Sequence, residues 1–350
     1  MFDHIYNSTP QKLEIVTRQS IEWIMKHKYI HSKLNETFAG FEELEFIIPS
    51  VIDEDHDFIP PWYYLLHEAD QELDSAMILL LAGMYKDTLR TLRSFIELNL
   101  FALYCFTKND KKDFRRWLLG EQETPKKSIL IYTILKNNPR IALLDKKLRW
   151  NKRLCETYKK LSKFVHTQGI SNSFISLRNS NTIIFSEMGI KYGIKYLLDV
   201  IQIISEGFVA NFPIALQPLP LFQKFGFSGP AGGFLDVWQV EQVSKIFPKR
   251  HLIKLQSISD HDEEVTSIVE SIRSRPDLSK REILESLERA LKCFPKEKDK
   301  VYKMMKNGKI TQAFAMVGAI QKAFLRATTP LLNEYSLGIR RTKNGNINRK

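Results

Sequence analysis

Cysteine is scarce in this chain, and its positions form no recognisable pattern. The 350 residues contain three cysteines, at positions 105, 155 and 293. An odd number of widely spaced cysteines predicts neither a disulfide framework nor a zinc site with paired ligands. Cys105 and Cys155 lie in apolar surroundings with helical periodicity, so we expect both to be small core residues.

Long apolar runs and several well-known catalytic motifs are also missing. The longest apolar stretches, residues 76–84 and 100–106, are far shorter than the roughly 20 residues that cross a bilayer. The first residues lack the basic and then apolar pattern of a signal peptide. No phosphate loop, GxSxG elbow or kinase-type motif set occurs. We therefore expect a cytoplasmic protein with no membrane partner, no metal and no cofactor.

Basic residues exceed acidic ones, and the excess is unevenly distributed. The chain has 52 Lys and Arg against 40 Asp and Glu, a net charge of +12. Residues 108–163 contain 17 Lys and Arg against 6 Asp and Glu, a net of +11, and residues 234–350 contain 23 against 14, a net of +9. Such clustering favours a partner with a phosphate backbone, although a well-solvated surface explains it equally well.

Apolar residues recur at helical spacing almost throughout, which predicts an all-α fold. Residues 62–84 and 86–106 are expected to form a helical hairpin. The segment 213–233 holds four prolines and four glycines, a composition that favours a connection between domains. We predict a helical domain over 1–212, a connecting segment over 213–233, a smaller basic helical domain over 234–338 and a disordered tail over 339–350.

Arg93 and Glu97 form a polar stripe in an otherwise apolar helical segment. They are four residues apart and so share one helix face. A charge in such surroundings must be paired or take part in chemistry. Two interpretations stay open: an ion pair within the helix at the margin of the core, or a guanidinium that Glu97 holds for binding a phosphate.

Tyr158, Ser162 and His166 form a second stripe with the same four-residue spacing. His166 lies where we expect its helix to end, and the carbonyl groups there favour a charged imidazole. One interpretation is structural: His166 hydrogen-bonds the helix end or a neighbouring helix, and Ser162 is a small contact residue. The other is catalytic, because histidine titrates near neutrality and serves as a general acid or base.

The segments LRSFIEL and YKKLSKFVH, after a long helical hairpin, resemble the HEPN-type helical domains of prokaryotic defence and toxin systems. The resemblance covers residues 60–212. It implies a helical bundle and, in the active nucleases of that superfamily, an Arg, four to six variable residues and a His near the end of one helix. Those nucleases usually pool two copies of the motif, so the resemblance also implies a homo-oligomer, most simply a dimer.

This sequence departs from that motif on the helix that carries His166. The positions where the Arg is expected hold Lys159, Lys160 and Leu161. Arg93 takes the missing role only if helix packing brings it close to His166. The arrangement would then cleave RNA without a metal: the arginine stabilises the reacting phosphate, and the histidine deprotonates the 2′-hydroxyl.

Supporting roles complete this catalytic hypothesis. Glu97 would orient Arg93, and Ser162 and Tyr158 would support His166. Basic side chains around the stripe would contact the RNA backbone. Five of them are candidates for phosphate binding: Lys159, Lys160, Lys163, Arg115 and Arg116.

The sequence therefore supports a leading hypothesis and two alternatives. The leading one is a defence-associated or toxin-like RNA-binding protein that acts as a metal-independent endoribonuclease. The first alternative is a non-catalytic helical interaction module of a defence system, in which the two stripes lock helices together and the C-terminal helices bind a partner protein. The second is a DNA-binding regulator that uses the basic segment 279–294, although no clear helix-turn-helix signature is present.

Overall fold

A computed structural model describes residues 2–47, 63–108, 111–166, 183–226 and 233–292, together with residues 299, 300, 303, 340, 341, 347 and 348. The described part of the chain is almost entirely helical, which confirms the predicted all-α class. Most of the predicted C-terminal domain beyond residue 292, including 304–338, lies outside the described residues.

Among the described residues, nine helices precede the proline- and glycine-rich segment: α1 (Phe2–Lys26), α2 (Lys28–Leu44), α3 (Tyr63–Leu81), α4 (Tyr85–Lys108), α5 (Lys111–Leu118), α6 (Lys127–Asn137), α7 (Pro139–Leu148), α8 (Trp150–Val165) and α9 (Glu187–Asn211). One short helix lies within that segment, α10 (Leu221–Phe225). Four described helices follow it: α11 (Val237–Ser244), α12 (Lys249–Asp260), α13 (Glu263–Arg273) and α14 (Lys280–Lys292). Short 3-10 helices cover Glu45–Ile47 and Pro213–Leu216.

Helix α4 lies at the centre of the fold. It packs against α3, as the predicted helical hairpin requires, and also against α6, α8 and α9. Its buried side chains cover most of its circumference, including Leu92, Phe95, Leu100 and Leu103. A helix with apolar residues on nearly every side is expected in a core, and the stripe with Arg93 is its main polar edge.

Helix α8 is amphipathic and packs closely on α9. Its buried residues are Trp150, Leu154, Leu161 and Phe164, whose spacing places them on one face. The indole N–H of Trp150 donates to the carbonyl of Ile203 at 2.8 Å. Gly207 permits this approach, because an added Cβ would lie 3.1 Å from both Trp150 Cζ2 and Leu103 Cδ1.

The main core extends beyond the segment 213–233, at which the sequence predicts a domain boundary. Buried residues of α11 and α12, among them Val243 and Leu255, belong to the same apolar cluster as α4 and α9. A separate small cluster joins Ile214 and Leu219 to three residues of α13: Val265, Val269 and Ile272. The described core thus shows no break at 213–233, and the smaller cluster begins with the first residues of that segment.

Arg140 ties this smaller cluster to the main bundle. Its guanidinium on α7 donates two parallel hydrogen bonds to Asp262, at 2.6 and 2.9 Å, and a third to Glu264 at 2.6 Å. Asp262 also caps α13 by accepting from the backbone N–H of Val265 at 3.1 Å. One carboxylate therefore fixes both the start of α13 and its position against α7.

Near the C-terminus, two short strands pair in antiparallel fashion: β1 (Arg340–Arg341) and β2 (Ile347–Asn348). They fall in the segment 339–350 that the sequence predicts to be a disordered tail; its remaining residues lie outside the described ones. No helix among those described has the length and apolar character needed to cross a membrane.

Candidate functional site

The first sequence-predicted stripe forms a closed triad with Tyr158. Arg93 Nε on α4 donates to Glu97 Oε1 at 3.1 Å and to the Tyr158 hydroxyl at 2.9 Å. The Tyr158 hydroxyl on α8 donates in turn to Glu97 Oε1. The three side chains are partly exposed: the exposed fraction is 24% for Arg93 and 37% for Glu97. Their polar groups hydrogen-bond to one another and join α4 to α8.

The triad keeps Tyr158 neutral and Arg93 charged at neutral pH. Burial raises the pKa of Tyr158, the hydrogen bond and charge of Glu97 raise it further, and it reaches about 12 although Arg93 acts against the shift. Burial alone lowers the pKa of Arg93, but Glu97 and Tyr158 outweigh it and raise that pKa above its ordinary value. At neutral pH the group is therefore a neutral phenol beside a permanent cation, which is poorly suited to proton transfer.

A second cation covers the Tyr158 ring. The Lys127 ammonium lies 4.4 Å from the ring centroid, and the Arg93 guanidinium lies 5.0 Å from it. Lys127 also lies 3.6 Å from Cys155 Sγ. Cation–π contacts of this kind stabilise the aromatic ring in its position, and they add to the hydrogen bonds of its hydroxyl.

The other two residues of the second stripe do not join this triad. The Ser162 hydroxyl donates to the Tyr158 backbone carbonyl at 2.8 Å, a contact within α8 itself. His166 is exposed at the C-terminal end of α8 and makes no side-chain hydrogen bond or ion pair to any described residue. His166 is eight positions after Tyr158, which corresponds to about 12 Å along a helix axis. The structure thus brings Arg93, Glu97 and Tyr158 together and leaves His166 apart.

The five candidate phosphate-binding residues are all exposed. Lys159, Lys160 and Lys163 lie on the outer face of α8, and Arg115 and Arg116 lie on α5. None of the five forms an ion pair with a described residue, whereas two inward-facing arginines of the same basic region do: Arg140 and Arg153. The three candidate lysines of α8 therefore carry their charge without an ion pair to a described residue, although Lys160 opposes the rise that burial causes in the pKa of Asp199.

A second charged cluster, not predicted from the sequence, lies on the opposite side of α8. The Glu206 carboxylate on α9 is fully buried (0% exposed) and accepts from both terminal nitrogens of Arg153 on α8. Its Oε1 also accepts from Gln202 Nε2 at 2.8 Å and lies 2.7 Å from His251 Nδ1 on α12. One buried carboxylate therefore connects α8, α9 and α12.

Both basic partners of Glu206 reach the solvent. The exposed fraction of the side chain is 25% for Arg153 and 22% for His251. Arg153 is held further by a hydrogen bond from its Nε to the Leu148 carbonyl at 3.1 Å. The cluster thus combines a fixed carboxylate, a fixed guanidinium and an oriented imidazole at the edge of the bundle.

A single acidic residue in the apolar run 200–212 was the only sequence signal for this cluster. A charge at such a position needs a partner. The partners, however, lie 53 and 45 residues away in the chain, on α8 and α12. Nothing in the local spacing of Glu206 connects it to either of them.

Within the described ranges, no group of three or more His, Cys, Asp or Glu side chains is arranged to hold a metal ion. His27 and His31, which share helical spacing, are engaged separately: His27 Nδ1 lies 2.7 Å from the Trp23 carbonyl, and His31 Nε2 lies 3.2 Å from Asn35 Nδ2. Comparison of the chain with protein-family models, curated proteins and solved structures gives no match.

Proposed function

We propose that this protein binds RNA through the exposed cations of α5 and α8. The observation that carries the proposal is the row of Lys159, Lys160 and Lys163, which are exposed and form no ion pair with the described residues. Lysine ammonium groups in this state release counterions when they contact phosphates, and this release drives binding to nucleic acids.

The resemblance to HEPN-type domains belongs to the same proposal, and with it a role in defence or toxicity and a homo-oligomeric state. The α3–α4 hairpin and the packing of α8 on α4 support it. RNA is preferred over DNA on the basis of that resemblance. The proposal does not depend on a catalytic pairing of Arg93 with His166, because Arg93 is engaged by Glu97 and Tyr158.

Salt-dependent RNA binding tests the proposal. We expect simultaneous Lys159→Gln, Lys160→Gln and Lys163→Gln substitutions to weaken binding of a single-stranded RNA oligomer. The slope of log K against log salt concentration should become shallower by about 2, since each lost phosphate contact on a single strand removes about 0.7. Fluorescence anisotropy at several salt concentrations measures both quantities.

A variant with the same change of charge elsewhere provides the control. Lys12, Lys26 and Lys28 are exposed on α1 and at the start of α2, far along the chain from the basic region. Changing these three to Gln should leave the slope unaltered. Equal weakening by the two triple variants, or no binding of RNA by the unmodified protein, would rule out the proposed surface.

The non-catalytic interaction module is a second candidate function. The closed triad of Arg93, Glu97 and Tyr158 favours it, because its polar groups are used in joining α4 to α8. On this hypothesis, substitutions in the triad lower stability and leave RNA binding unchanged, and the basic face of α8 only keeps the protein soluble. The RNA titration above distinguishes the two candidates.

A further inference from the structure

We propose that His251, Glu206 and Arg153 form a second RNA site that cleaves the phosphodiester backbone with His251 as the general base. This inference rests on the proposed RNA binding and deepens it by assigning a reaction. It places the chemistry on the side of α8 that faces α9 and α12, away from the Arg93–Glu97–Tyr158 triad.

Glu206 orients the ring of His251. An ionised carboxylate can only accept, so a neutral ring donates to it through Nδ1, which lies 2.7 Å from Glu206 Oε1. Gln202 Nε2 lies 3.1 Å from the same Nδ1 and donates to the same Oε1 at 2.8 Å. The lone pair is then on Nε2, which is engaged by no described residue. A carboxylate that fixes one ring nitrogen and leaves the other free is the arrangement by which histidine bases are oriented in hydrolytic enzymes.

Arg153 places a permanent positive charge beside this imidazole. Its NH1 lies 3.3 Å from the same Oε1 that binds His251, so one oxygen positions both groups. Its Nε–H donates to the Leu148 carbonyl. A guanidinium has five N–H donors, and these contacts leave two of them for a phosphate oxygen.

The surroundings favour an anionic substrate. Lys249 and Arg250 precede His251 in the first turn of α12 and are exposed, as are Arg149 and Lys152 near Arg153 at the start of α8. The exposed Glu156, which pairs with Lys152 at 3.9 Å, lies between the lysine row of α8 and Arg153. The cluster and the proposed binding surface thus share α8, with one acidic side chain between them.

The chemistry is a balanced transfer within RNA. His251 Nε2 takes the proton of a 2′-hydroxyl, and the 2′-oxygen forms a bond to the adjacent phosphorus. The bond from phosphorus to the 5′-oxygen breaks, and that oxygen takes a proton from water. Arg153 stabilises the negative charge that develops on the phosphate oxygens. The products are a 2′,3′-cyclic phosphate and a 5′-hydroxyl end, and the base returns its proton to solvent.

The decisive variant is His251→Asn. The Asn side-chain N–H takes the place of Nδ1–H and retains the hydrogen bond to Glu206, but no base remains at the position of Nε2. We expect RNA cleavage to fall about 100-fold or more, while RNA affinity and the melting temperature stay near those of the unmodified protein. His251→Gln, which also lacks the base, serves if the Asn variant does not fold.

His261→Asn is the matched control, at the other end of the same helix. His261 lies just after α12, and its Nδ1 is 2.8 Å from the Ser257 carbonyl, but the carboxylate of no described residue contacts its ring. This variant, prepared in the same way, should cleave as the unmodified protein does. An RNA with 2′-O-methyl groups should bind and stay intact, because it lacks the attacking hydroxyl.

The outcomes separate this inference from the proposed function. An unmodified protein that binds no RNA overturns both. One that binds RNA but produces no cyclic phosphate ends overturns only the catalytic inference. Cleavage that a folded His251→Asn or His251→Gln variant retains assigns the cluster to helix packing alone, and so overturns the inference as well.

Discussion

Helix α8 carries two charged clusters that share a composition but differ in construction. Each combines an arginine, a glutamate and a third polar group. In the first cluster, Arg93 and Glu97 come from one turn of α4 and remain partly exposed. In the second, Arg153, Glu206 and His251 come from three helices and surround a carboxylate that no solvent reaches.

Because of this difference, the loss of a partner should cost the two clusters different amounts of stability. Water screens a partly exposed ion pair and replaces a lost partner at small cost. A buried carboxylate has no such replacement, so each group that contacts it is needed. We therefore expect the second cluster to determine stability more strongly, although only the first was visible as a motif in the sequence.

Replacing the glutamate of each cluster by glutamine tests this comparison most directly. Glu206→Gln should lower the free energy of unfolding by about 3 kcal/mol, because Arg153 loses its buried counter-ion. Glu97→Gln should lower it by about 1 kcal/mol or less, since water reaches that carboxylate. Urea unfolding followed by circular dichroism measures both values, and equal losses would show that burial does not distinguish the clusters.

A double-mutant cycle between Arg93 and Tyr158 measures the first cluster itself. If the triad were fully buried, Arg93→Ala would lower the free energy of unfolding by about 1–3 kcal/mol. Its partial exposure reduces the expected loss to about 1 kcal/mol. Arg93→Ala combined with Tyr158→Phe should show a coupling of similar size, because both groups share Glu97. Additive losses would indicate that the contacts between α4 and α8 are apolar in origin.

The sequence predicted the elements of the fold well because their signals are local. Apolar spacing was sufficient for the α3–α4 hairpin and for α8, and the four-residue spacing of Arg93 and Glu97 predicted their pairing. Tyr158 was placed with His166 from the same spacing rule, but α8 directs it towards α4 instead. Spacing along one helix cannot tell which neighbour each residue meets.

The second cluster could not be predicted from local sequence patterns, for the same reason. Glu206, Arg153 and His251 meet only after α8, α9 and α12 pack, and Gly207 and Trp150 determine how closely α8 and α9 approach. The proline- and glycine-rich segment also led us to predict a domain boundary before α12. The apolar residues Leu255 and Ile258 of α12 lie in the main core, which brings His251 to the carboxylate.

The stability of the protein at alkaline pH tests the first cluster through the smallest of the expected effects. The pKa of Tyr158 is raised to about 12 in the folded protein, against an ordinary value of about 10 in the unfolded chain. The fold thus favours the neutral phenol, and this contribution to stability is complete below pH 10 and is lost as the pH rises through 12. The stability difference between the unmodified protein and Tyr158→Phe should therefore stay constant up to about pH 10 and shrink above it.

Tyrosinate absorbance follows the titration of Tyr158 directly. In Glu97→Gln the pKa of Tyr158 should be raised less, since burial alone remains to raise it. A difference that does not change with pH would mean that neither burial nor Glu97 raises the pKa of Tyr158, and the contrast between the two clusters would then rest on the second alone.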